Sequence, residues 1–217
     1  MNTKISLGAT TIAGLLLATA AYGETTATAW TDLNLRVGPG PTYEIATVIP
    51  ESEAVTVDGC LEASNWCRVN YDGVDGWASG EYLTTLIDDA PAPIYANRDR
   101  IEMRTVTYED SGAATAVGGA TGAAAGAMIG GPVGALIGTA IGLGIGASAT
   151  PDERVTTYVR SNPVDPVYLD GEVVVGAGIP EGVTLAEVPE SEYYYGYVNG
   201  VRVIVKRDDR RIIHIVR

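Results

Sequence analysis

The chain has 217 residues, a formal net charge of −13 and a sequence pI near 4.4. That length leaves room for one or two small domains rather than a large enzyme core. Residues 24–89 hold 12 acids against 2 arginines, and a net charge of −10 there repels phosphate backbones, which argues against nucleic acid as a partner.

The opening MNTKISLGATTIAGLLLATAAYG combines Lys4, an apolar stretch from Ile5 to Ala20 and a small-x-small ending at Ala21-Tyr22-Gly23. This is the pattern of a secretory signal peptide over residues 1–23, cut before Glu24. An uncleaved anchor is the alternative, but the apolar part is short and interrupted by Gly and Thr. The expected location is therefore across the inner membrane, in the periplasm. Cys60 and Cys67 bracket LEASNW, and an exported chain is where such a pair oxidises to a disulfide. Two cysteines and a distant lone His214 do not make a four-ligand set, so no metal and no cofactor are expected.

Residues 24–88 read as the first module. LNLRV, IATVI, AVTVDGC, WCRVNY and VDGWASGEYL are short alternating or β-branched runs, punctuated by GPGP, PES, ASN and DG. They predict a small all-β barrel of about five strands, with Leu33, Leu35 and Val37 inward and Asn34 and Arg36 outward. The LNxRxGPGxxY opening, the WCxVxYxGxxGW hairpin and the closing YL, over residues 30–84, resemble the bacterial SH3-like domain family. That resemblance implies an SH3-like barrel, common in secreted and envelope proteins and often a targeting module, in some members for peptidoglycan. Tyr43, Trp66, Tyr71 and Trp77 are the candidate lining of an aromatic groove for an extended cell-wall peptide or protein segment. Trp77, directly after Asp75-Gly76, also reads as a core residue.

Residues 89–111 begin with Pro/Ala punctuation, turn charged, and are expected to act as a linker, with a short strand or helix near Ile101 to Tyr108. Residues 112–150 then run without a charge, and glycine recurs at every fourth position: Gly118, Gly122, Gly126, Gly130, Gly134, Gly138, Gly142 and Gly146. One straight helix of that length would measure about 58 Å, roughly twice the bilayer core. Pro132, after Gly130-Gly131, breaks the run near its centre and predicts a helical hairpin. Each helical glycine costs up to about 1 kcal/mol against alanine, so close packing of the bare faces must offset it. The stretch resembles the glycine-zipper hairpins of bacterial envelope proteins. Three readings stay open: a membrane-inserted hairpin, alone or as a homo-oligomer; a hairpin packed on protein; and a flexible linker. The acidic flanks give no positive-inside signal, which leans towards the outer membrane.

Residues 151–217 predict a small β-rich module. Asn199-Gly200 between YYYGYV and VRVIV is a type I′ hairpin signal, and a turn at Asp208-Asp209 returns RRIIHIV as a third strand. Residues 158–216 resemble a proteobacterial domain-of-unknown-function family, number 1236, which implies architecture but no chemistry. Tyr193, Tyr194, Tyr195 and Tyr197 are read as packing on a half-buried hairpin.

His214 lies in an apolar strand, both cysteines are accounted for, and HExxH, GxSxG and P-loop patterns do not occur. The fold expected is mainly β: an SH3-like barrel, a helical hairpin and a terminal β-rich module. The function expected is non-catalytic: an envelope protein that binds peptide, peptidoglycan or protein, with the glycine stretch for membrane association or oligomerisation. The alternative is a soluble periplasmic regulator or inhibitor of a cell-wall enzyme.

Overall fold

The computed structural model describes residues 24–109, 123–128 and 150–217. The expected signal peptide lies outside the described residues, as do Gly118, Gly122, Gly130, Gly134, Gly138, Gly142 and Gly146. The protein is mainly β, with an SH3-like N-terminal sheet and a β-rich C-terminal sheet.

The N-terminal module consists of β1 (Thr25–Ala29), β2 (Leu33–Arg36), β3 (Ile45–Ile49), β4 (Ala54–Cys60), β5 (Trp66–Tyr71), β6 (Val74–Ser79), β7 (Leu83–Ile87) and β8 (Ala90–Pro93). They form one antiparallel sheet in the order β3-β2-β6-β5-β4-β1-β7-β8. The five expected runs correspond to β2 to β6, the last of them breaking after Ser79 so that Leu83 opens β7. Strand β1 is TTATA, whose β-branched threonines suit a pleated surface although its apolar side chains are small. Strand β8 is APAP and stands at the sheet edge, where proline's missing N–H costs no ladder bond. Ala27, Leu33, Leu35, Val57 and Val69 are buried in the core, and the Cys60–Cys67 disulfide joins the paired ends of β4 and β5.

Residues 89–109, expected as a linker, fold back on this module. Ile94 is fully buried, and its N–H donates to the Leu83 carbonyl at 2.8 Å. A 3₁₀ turn at Tyr95–Asn97 follows, and Arg98 lies over the Tyr95 ring at 4.1 Å. Burial of Ile94 fixes the chain direction where composition alone suggested a tether.

Within the glycine stretch the described residues are β9 (Ala123–Met128), a strand paired in parallel with β10 (Pro166–Asp170). Here the expected helix is corrected, and Gly126 belongs to a strand. An AAAGAM segment gains little from a helix that must carry glycine, whereas the open edge of β10 offers backbone partners for its N–H and C=O groups. Among the described residues, no helix is long and apolar enough to cross a membrane.

The C-terminal module adds α1 (Glu153–Ser161), β11 (Ala186–Glu187), β12 (Tyr193–Val198), β13 (Val201–Lys206) and β14 (Ile212–Val216). The sheet runs β14-β13-β12-β10-β9, with β11 paired to β12. The meander is as expected, and Asn199 (φ 48°) and Gly200 (φ 84°) both take the positive φ that a type I′ turn requires. Helix α1 starts at Asp152, whose carboxylate accepts the Arg154 N–H at 3.1 Å, and its Val155 and Val159 are buried. They pack with Tyr195, Ile204 and Val216 on one face of the sheet. Val203, Val205 and Ile215 leave the other face and join the N-terminal core in one continuous apolar cluster.

A charged bracket sits in this junction. The Arg36 guanidinium donates to Glu172 through Nε at 2.6 Å and Nη2 at 2.7 Å, with side-chain exposures of 1% and 0%. The Glu172 carboxylate also accepts Asn34 Nδ2 at 2.9 Å and its neighbour Val173 N–H at 2.8 Å. Asn34 and Arg36 lie on the face of β2 away from Leu33 and Leu35, as the alternation requires, but the second module covers them; Val37 emerges to solvent instead of pointing inward. Arg36 Nη2 further donates to the Asn199 carbonyl at 3.3 Å, and the Asn199 side chain ties the hairpin tip to Leu169 and Gly171. Removing one partner of a buried pair strands the other charge at a cost of about 3–5 kcal/mol. Glu172→Ala is therefore expected to lower the urea unfolding free energy by about that amount. A loss below about 1 kcal/mol would show that the junction does not rest on this pair.

Candidate functional site

The most developed surface of the N-terminal module begins at the loop 37–43, VGPGPTY. The ring of Tyr43 folds back over Gly38 and Gly40, and a Cβ at Gly38 would overlap that ring. Its carbonyl accepts Arg36 Nη1 at 2.7 Å, so the arginine that holds Glu172 also fixes Tyr43. Arg36 in β2 pairs with Trp77 in β6, which places Trp77 on the same face. Tyr43 and Trp77 meet through a third ring, that of Tyr108. The centroids lie 5.9 Å (Tyr43) and 5.5 Å (Trp77) from it, and both pairs are edge-to-face.

Tyr108 arrives on an extended segment. Strand β1 pairs with β4 only as far as Val57, leaving that edge of β4 open at its C-terminal end. There the Cys60 N–H donates to the Arg104 carbonyl and the Val106 N–H donates to the Cys60 carbonyl, both at 3.0 Å. Arg104 Nε donates to the Asp58 carbonyl at 3.0 Å, and Arg98 Nη1 to the Leu61 carbonyl at 2.7 Å. Gly59 makes the approach possible: a Cβ there would overlap the Arg104 carbonyl oxygen and stand 2.8 Å from Val106 Cγ1. The result is backbone pairing at one end and an aromatic seat at the other, a combination suited to an extended peptide.

Of the four candidate groove residues, the structure brings Tyr43 and Trp77 together. Tyr71 packs against the core on the opposite face of the sheet; Trp66 shares the face of Trp77 but pairs with Ser79 at the end of β6 and is not one of the edge-to-face rings. Trp77 is itself 6% exposed, partly a core residue and partly the floor of the seat. Sequence reasoning missed Tyr108; the alternation Val106-Thr107-Tyr108 was its signal, inside a stretch read as a linker. It also missed α1, although Asp152 before a helix with Val155 and Val159 four residues apart is a start signal. Among the described residues no cluster of His, Cys, Asp and Glu could hold a metal ion.

Residues 31–84, which hold this loop and hairpin, match the bacterial SH3 domain family. Residues 158–217 match the domain of unknown function number 1236. Over 55 residues, 25% of the chain, the sequence is 38% identical to a protein of Bacillus subtilis (strain 168) named as an N-acetylmuramoyl-L-alanine amidase, YrvJ. The matched stretch spans 10% of that protein, far less than its full length. No solved structure matches the chain.

Several titrating groups are displaced from their ordinary values, His214 and three tyrosines among them. His214 lies on the face that α1 covers, and burial, with Arg160 and Arg217 nearby, holds its pKa below 6.5. It is neutral at neutral pH. Tyr82, 1% exposed, has its pKa raised from 10.0, first by burial and then by Glu81 and Glu172. A phenol that resists ionisation only when folded gives stability that is complete below the unfolded value of about 10 and is lost as pH rises above it. Burial also raises Tyr193 and Tyr195. The melting temperature should therefore fall above pH 10, and Tyr82→Phe should make that fall shallower; equal slopes would remove Tyr82 from the cause.

Proposed function

We propose that the protein is a non-catalytic component of the bacterial cell envelope, exported to the periplasm, whose SH3 module binds the peptide part of the cell wall. Binding runs along the end of β4 that β1 leaves unpaired and the Tyr43–Trp77 seat. The observation that carries this reading is that the same edge already accepts an extended segment, through two backbone hydrogen bonds to Cys60 and the Tyr108 ring. The similarity to a protein named as a wall amidase supports the wall as the source of the peptide. Backbone pairing suits a wall peptide because it asks little of side-chain identity. The −10 net charge of residues 24–89 disfavours a polyanionic ligand and favours the peptide over wall phosphates.

The second module contributes position rather than contact. Through Glu172 it holds Arg36, and Arg36 holds the Tyr43 carbonyl.

The test is retention of the full chain by purified sacculi over a range of protein concentrations. The protein is expected to be retained in 0.5 M salt, where screening reduces the Debye length to about 4 Å, and Tyr43→Ala is expected to lose about tenfold in apparent affinity. Retention equal to that of a control protein of the same charge, at every concentration, overturns the reading.

A further inference from the structure

The edge proposed to bind wall peptide is not open in this structure, because the protein's own residues 104–108 lie on it. We infer that this segment is a resident occupant of the binding edge, and that an incoming peptide must displace it; the inference rests on the reading of that edge as the binding surface. Three independent features point the same way. The backbone of residues 104–106 fills the part of β4 that β1 leaves unpaired, using both polar groups of Cys60. Gly59 is bare where any side chain would strike the Arg104 carbonyl. Tyr108 occupies the space between Tyr43 and Trp77.

The segment is also more exposed than the chain that leads into it. Arg104, Thr105, Thr107 and Glu109 are exposed, while Met103, Val106 and Tyr108 are only half-buried. Its backbone pairing with β4 is one bridge long, at Thr105. The upstream anchor, by contrast, is firm, since Ile94 is fully buried and Arg98 reaches the Leu61 carbonyl. Release at residues 104–108 would thus keep the segment tethered beside the edge at high effective concentration, and the affinity seen by a ligand is reduced by the fraction of time the edge is covered.

A labelled peptide of residues 102–109, EMRTVTYE, supplies the probe. Its dissociation constant is measured by anisotropy on the full chain, on Tyr108→Ala and on the double variant Gly59→Ala/Tyr108→Ala, each first shown by its unfolding transition to be folded. Tyr108→Ala loosens the covering segment and is expected to bind the peptide about tenfold more tightly than the unaltered protein. The added Cβ in the double variant blocks the backbone approach and should abolish that gain. Equal affinity of the unaltered protein and Tyr108→Ala overturns the inference, as does a gain that survives Gly59→Ala. The same proteins are tested on sacculi. Tighter retention of Tyr108→Ala extends the displacement to the wall ligand, and equal retention of the two denies it. Peptide binding in the expected order with no retention of any variant by sacculi leaves the occupant in place and overturns the wall reading alone.

Discussion

Two modules meet in this protein over a buried ion pair, and most of what is distinctive about the molecule depends on that pair. Arg36 is the outward-facing residue of an SH3 strand, a position that in an isolated barrel would be solvated. Here it is 1% exposed, because the loop carrying Glu172 covers it. Burying two charges is costly, and the cost is offset only when the remaining donors and acceptors are satisfied. Arg36 spends its donors on Glu172, on the Tyr43 carbonyl and on the Asn199 carbonyl. Glu172 takes Asn34 and a backbone N–H as well. Within this network the side-chain oxygen of Asn34 is buried without a hydrogen bond.

That arrangement links fold to recognition. A planar guanidinium with several fixed donors can hold three groups at defined angles, where a lysine could not. The hairpin tip of the second module, the acidic loop and the aromatic loop of the SH3 module are thereby placed by one side chain. The disulfide does comparable work at the other end of the edge. It joins β4 to β5 at Cys60, the residue whose backbone receives the extended segment.

Much of this was legible in the sequence, for identifiable reasons. The strands β2 to β6 follow from strict alternation and from Gly, Pro and Asn punctuation, and the Asn199-Gly200 turn from its positive φ requirement, all of them local rules. The Cys60–Cys67 link followed from the spacing of the two cysteines and the expectation of export. The junction was not legible: Arg36 and Glu172 are 136 residues apart, and each reads locally as a surface charge. Residues 89–109 misled because Pro and Ala read as a linker, although Pro suits the edge strand it forms and Ile94 is a fully buried apolar anchor. Tyr71 was grouped with Tyr43 and Trp77 because composition reports aromatics without reporting the face they take, and Trp66 because it does not report how far along that face they stand.

The shared core and the Arg36–Glu172 bracket change the meaning of the region between the modules. Residue 109 ends a segment fixed to the SH3 module, and residue 150 leads into a helix fixed to a sheet that is itself joined to that module. Ala123–Met128, between those two points, lie on β10 of the same body. The relative position of the modules is therefore set by the shared core and the ion pair and not by the length of chain that joins them, as it would be across a hinge or spacer.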